Sequence, residues 1–194
     1  MRLRTLVMMA AVGTGAWAAE AGGAEAPRVT VCMGAEPGVP SSWPVEQRVS
    51  KIFSGIGVRL EWHDGSCPAS TDVIKIGFAD EAPEAVSASA LAYARPYEGT
   101  HIVVLYARVK RLQPAGAQTL LAYVLVHEIT HIVEGISRHS KSGIMKAQWD
   151  DADLYRIRRE ALAFAEDDVD LIHMGLAARA ARLAANGLVQ VAAR

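Results

Sequence analysis

The chain has 194 residues, a formal net charge of −1 and a hydrophobic fraction of 51%. That is enough for one domain with one sizeable core. The charge balance, with no basic patch interleaved with aromatics, argues against a nucleic-acid partner.

The first eighteen residues read as a secretory signal peptide. Arg2 and Arg4 form a basic start, Thr5 to Val12 a short apolar core, and Ala16-Trp17-Ala18 a small-x-small cleavage site. The apolar run is too short for a comfortable membrane span. The expected mature protein is therefore secreted or periplasmic, with no membrane attachment after signal removal. Residues 19–27 form a flexible leader of Ala, Gly, Glu and Pro, and 28–194 a single domain. In an exported chain the two cysteines, Cys32 and Cys67, are expected to pair. Their bridge would close a long loop, worth about 3–4 kcal/mol in the chain-entropy view.

Arg28 to Cys32 carries β-branched residues and predicts a first strand. Glu36 to Trp43, with its Gly and Pro residues, predicts a loop. Pro44 suits the first turn of a helix to Ser54, with Val45, Val49, Ile52 and Phe53 on one face. Gly55 and Gly57 end it. Val58 to Trp62 alternates as a second strand, His63 to Pro68 turns, and Asp72 to Phe78 is a third strand. A polar, Ala-rich connection over 80–88 leads to a short fourth strand, Leu91 to Arg95. Pro96 to Gly99 turns the chain into a fifth strand, His101 to Tyr106. A linker through Pro114 and Gly116 follows.

The next stretch is apolar nearly all round from Leu120 to Val126, as a buried helix is. It continues into His127-Glu128-Ile129-Thr130-His131. Buried polar groups are costly without partners. Two His four residues apart share one helix face and can hold one metal ion, and Glu128 beside them can act on a metal-bound water. The pattern is the signature of a zinc hydrolase, which needs a third protein ligand and one open position. Gly135 is suited to end the helix in the left-handed conformation. His139 follows four residues later, then Met145. Glu134 and Glu160 are carboxylate rivals for the third ligand. Beyond Met145, a helix is predicted over 151–167, capped by Asp150 or Asp151, and a last helix over 169–186. The acidic cluster Glu166 to Asp170 between them reads as capping and solvation. His63, His101 and His173 read as ordinary surface or packed histidines.

Here the chain resembles the metzincin clan of zinc metallopeptidases. That clan pairs His-Glu-x-x-His with a Gly-aided turn, a third His and a downstream Met-turn. The usual spacing places Gly three residues after the second His and the third His three after that. In this chain both intervals are four, so the turn is two residues longer. The resemblance is carried in specific residues by about 127–145 and elsewhere by the order of elements.

What it implies is an α+β, zincin-like fold: a mixed, mostly parallel twisted sheet of about four to five strands on a backing helix and the active-site helix, with C-terminal helices. Residues 91–95 occupy the place of the edge strand that pairs with extended substrate. One catalytic Zn²⁺ would be held by His127, His131 and His139, with Met145 packed beneath. Glu128 would be the general base, and the substrate a peptide or protein cleaved as by an endopeptidase. An alternative keeps the fold as a secreted zinc-holding binding or structural protein, which has no need of Glu128. A zinc nuclease of the His-x-x-x-His-x-x-x-x-x-His type is disfavoured by Glu128 and by the signal. Cys32 as a latency ligand is disfavoured by its expected pairing with Cys67.

Overall fold

A computed structural model describes residues 26–34, 42–63, 66–68, 72–94 and 100–192. The signal peptide, most of the leader, Arg95 and most of the 36–43 and 96–99 turns lie outside the described residues. The order is β1 (Arg28–Met33), α1 (Ser42–Ser54), β2 (Arg59–His63), β3 (Ile74–Phe78), β4 (Ala92–Ala94), β5 (His101–Val104) and α2 (Tyr106–Leu112). A 3₁₀ turn (Pro114–Gly116), α3 (Ala117–Glu134), α4 (Asp151–Arg158) and α5 (Glu166–Ala192) follow.

The strands form one sheet in the order β2-β1-β3-β5-β4, and only β4 runs antiparallel to its neighbour. The molecule is thus α+β with a mixed, mostly parallel sheet, as the sequence predicts. The register lines Met33, Ile76, Ile102 and Ala94 into one row across four strands. Because side chains alternate along a strand, this row lies on one face. Val29, Val31, Ile74, Ile76, Ile102 and Val104 are all essentially buried, whereas Thr30, Lys75 and His101 on the opposite parity are partly or fully exposed. One face of the sheet therefore carries the core.

Helix α3 lies at the centre of that core, in contact with α1, α2, α4, α5 and β4. Its residues from Leu120 to Val133 are buried on every side. A helix that is apolar all round has no solvent face to offer and is driven inside. Val45, Val49 and Phe53 of α1 are buried as their spacing requires. Cys32 and Cys67 form the expected disulfide, with Cα atoms 5.5 Å apart. No helix among the described residues is long and apolar enough to cross a membrane.

Several boundaries differ from those the sequence predicts. The fifth strand ends at Val104, and Tyr106 opens the unexpected helix α2 where a linker was expected. Tyr106 and Val109 are its buried pair, so helical spacing over three residues outweighed the local β propensity. The helix expected to reach residue 167 stops at Arg158, because Glu160 takes a left-handed backbone (φ 52°). Its start is as expected: Asp150 caps it in a reciprocal capping box with Asp153. The last helix begins earlier, at Glu166, where the Asp168 carboxyl accepts from the Ala165 N–H (3.3 Å).

Candidate metal centre

The C-terminal half of α3 carries His127, Glu128 and His131, and all three are at least nine-tenths buried. Gly135 ends the helix with φ 71°, its N–H donating to the His131 carbonyl. The left-handed residue reverses the chain, and the following loop brings the exposed His139 back over the helix. Donor nitrogens of His127, His131 and His139 all lie within 4.8 Å of one another. The ring centroids are 4.7, 5.3 and 5.0 Å apart. The longer turn therefore does not prevent the third imidazole from joining the pair.

Two backbone carbonyls fix the helical imidazoles. His127 Nδ1 lies 2.8 Å from the Ile144 carbonyl oxygen, and His131 Nδ1 lies 3.2 Å from that of Ile136. A carbonyl only accepts, so each Nδ1 carries a proton and donates it. Burial pushes His127 down to about 4, against the Ile144 hydrogen bond. Burial, then His127 and His139, push His131 down to about 3. Both rings are therefore neutral at pH 7, with bare lone pairs on Nε2. Those two Nε2 atoms lie 3.1 Å apart. With no proton between them, facing lone pairs repel, and a cation removes the repulsion. Nitrogen ligands of a tetrahedral zinc at about 2.0–2.1 Å sit about 3.3 Å from each other. The donor set, its tautomers and its spacing all fit zinc.

Glu128 lines the same cleft as the three imidazoles, and its carboxyl accepts from the Ala94 N–H of β4. Burial pushes it up to about 8. A carboxyl poised near neutrality suits proton transfer. The site opens into a cleft of about 810 Å³, walled by β4 and the 87–91 segment on one side and by Lys146 to Trp149 on another. Trp149 was not singled out by sequence. Its ring meets His127 edge-on at 5.9 Å, and its Nε1–H donates to the same Ile144 carbonyl that holds His127 (3.2 Å).

The loop after His139 closes on itself. The Ser140 N–H donates to the Met145 carbonyl (2.8 Å), and Ser140 bridges Lys146. Met145 and Ile144 are fully buried. Gly143 has φ 77°, and a Cβ there would sit 2.6 Å from the Ala163 carbonyl oxygen, so this turn requires glycine.

The carboxylate rivals point elsewhere. Glu160 pairs with Arg48 (2.9 Å) and Lys51 (3.6 Å) of α1. Glu134 is buried beside Arg138, 3.7 Å from its Nε. His173 meets the Ile56 carbonyl at 2.8 Å, and His63 and His101 are exposed. The acidic cluster is not merely solvated. Asp168 is wholly buried, and its Oδ1 accepts from Arg138 (2.5 Å) and from Ser140. A lone Asp in an acidic run gives no sign in sequence of the loop it will meet.

No family model and no curated relative matches the chain. In structure it is similar to archaemetzincin from Methanopyrus kandleri, with a TM-score of 0.54 and 17% identity, over 77% of this chain and 96% of that one. The likeness covers nearly all of the solved protein, and the mixed, mostly parallel sheet with its helices is an archaemetzincin-like fold.

Proposed function

We propose that the chain is an exported zinc-dependent endopeptidase, with one Zn²⁺ held by His127, His131 and His139 and Glu128 as general base. The observation that carries this reading is the pair of bare Nε2 atoms 3.1 Å apart, with a third imidazole beside them. The archaemetzincin-like fold and the metzincin-like motif support the same reading. Zinc, when bound, supplies the Lewis-acid chemistry that activates water and polarises a carbonyl.

The chain's own residues do the rest. The Ile144 and Ile136 carbonyls hold two imidazoles in the ligating tautomer. Glu128 takes a proton from the attacking water and returns it to the leaving amine. The Ala94 N–H fixes the Glu128 carboxyl and ties it to β4, the outermost strand, along which an extended peptide would lie. Met145, buried in the closed loop, is the counterpart of the Met-turn residue. The N-terminal signal and the Cys32–Cys67 disulfide support export.

The test is zinc per chain in the purified mature protein, beside His139→Ala and Glu128→Gln, with peptide hydrolysis assayed in each. One zinc in the wild type, little in His139→Ala, and zinc without hydrolysis in Glu128→Gln are expected. Undiminished hydrolysis in Glu128→Gln would overturn the mechanism. Zinc binding in a wild type that hydrolyses no peptide would leave a zinc-holding binding protein.

A further inference from the structure

We infer that Asp168 is the positioning residue that holds His139 in the ligand set. The inference rests on the three-imidazole reading above and extends it to the residue that makes the third ligand available.

The three imidazoles are not held alike. His127 and His131 stand on a buried helix, and each is locked by a carbonyl. His139 is exposed, stands on a loop, and has no hydrogen bond to its ring among the described residues. Its place must therefore come from its backbone. The residues on either side of it, Arg138 and Ser140, both reach the Oδ1 of Asp168. Arg138 also donates to the Ser140 hydroxyl at 3.0 Å, which closes a three-membered clamp around His139.

Ser140 extends the clamp. Its N–H meets the Met145 carbonyl, one residue beyond the Ile144 carbonyl that orients His127. Asp168 is itself fixed, because its Oδ2 accepts from the Ala165 N–H at the start of α5. Helix α5 is fixed in turn at Gly175, seven residues on and so on the same face. There a Cβ would collide with the Val133 carbonyl, so glycine allows α5 to lie directly on the end of α3. Asp168 touches both neighbours of His139 and reaches His127 only through its charge, the last-named of the influences on that ring, so its direct contacts serve to fix the loop.

The experiment compares zinc affinity, by competition with a chromophoric chelator, in the wild type, His139→Ala, Asp168→Ala, Asp168→Asn and the double variant His139→Ala/Asp168→Ala. The d–d spectrum of each Co²⁺-loaded protein is recorded alongside. Outer partners of metal ligands are commonly worth about 10–100-fold in metal affinity. Asp168→Ala is expected to lose affinity in that range and to shift the cobalt spectrum towards that of His139→Ala. Asp168→Asn, which keeps one accepting oxygen, should fall between. Most of the Asp168→Ala loss should disappear in the His139→Ala background, since the clamp acts chiefly through His139.

Wild-type affinity in a folded Asp168→Ala protein overturns the inference. So does an additive loss in the double variant. If Asp168→Ala does not fold, Ser140→Ala and Arg138→Gln each cut one arm of the clamp. A loss of affinity in both supports the inference, and wild-type affinity in both overturns it. Equal zinc in the wild type and His139→Ala would remove His139 from the ligand set, and so sink the reading beneath as well.

Discussion

The two halves of the candidate metal centre are built by different means. On α3, His127 and His131 are buried, one turn apart, and tied to main-chain carbonyls. Their spacing belongs to the helix, although the carbonyl that orients His127 comes from the loop beyond His139. Beside them, His139 stands in the open on a loop whose residues Arg138 and Ser140 bond to a buried aspartate from a helix almost thirty residues further on. The spacing of two candidate ligands is thus set by the helix, and the place of the third by tertiary contact. The lesson is that a ligand set is only as rigid as its loop-borne member.

The largest effects should fall on the helix. On the proposed reading His131→Ala removes one of the two helix-borne ligands, and zinc should be lost altogether in elemental analysis. Glu128→Gln should retain zinc while peptide hydrolysis falls by at least about a hundredfold, the usual worth of a general base.

A control lies away from both halves. Reducing Cys32–Cys67 frees a loop closed across 35 residues and should cost about 4 kcal/mol of stability. Zinc affinity of the reduced protein, measured below its unfolding transition, should be unchanged. A matching loss of affinity would mean that the sheet and the centre are not independent.

Gly175→Ala tests the loop half from a distance. The methyl group has no room against Val133, and overpacking of this kind costs about 1–3 kcal/mol. Thermal unfolding should shift down, and zinc should dissociate faster from the folded protein, because α5 carries Asp168. A faster release through loss of His131 rather than His139, visible in the cobalt spectrum, would contradict the contrast drawn here.

Acid should discriminate the halves more gently. In the metal-free protein His127 and His131 titrate at about 4 and about 3, below the ordinary value near 6.5. The unfolded chain therefore takes up protons that the fold refuses. The stability these two residues contribute is complete above about pH 6.5 and is lost as pH falls towards 4. Glu128, raised to about 8, has the opposite sign, contributing at low pH and losing that contribution as pH rises through 8. Burial raises Glu134 to about 7 with the same sign as Glu128, so the midpoint of thermal unfolding of the metal-free Glu128→Gln/Glu134→Gln protein is the one that should fall between pH 6.5 and 4. A flat profile would mean that the helical imidazoles are not held neutral by burial. Smallest of all, Glu160→Gln should leave zinc affinity unchanged and lower stability by at most about 1 kcal/mol, since it removes a partly exposed pairing with Arg48 and Lys51.

Much of this was legible in the residues themselves. The buried helix, its two ligands and its Gly135 terminus follow from apolar content, a four-residue spacing and the left-handed tolerance of glycine. These are local rules, and they hold within a few turns of chain. The strands followed from β-branched and apolar runs and, for β2, from alternation, and the disulfide from an even cysteine count in a chain read as exported. The misses share a cause. Tyr106 and Val109 are too few to announce a helix until α3 packs against it, and Glu160 gives no warning that it will take φ 52° and end α4 early.

The sequence by itself determined which side chains could bind a metal and which could move a proton, because those depend on residue type and spacing. Only the tertiary structure decided that His139 joins the pair while Glu134 and Glu160 turn to Arg138 and Arg48, and that Asp168 faces inward to grip the loop. For His139, Glu160 and Asp168 the reason is that burial and charge pairing act through partners distant in sequence, and such partners exist only once α1, α3 and α5 have packed.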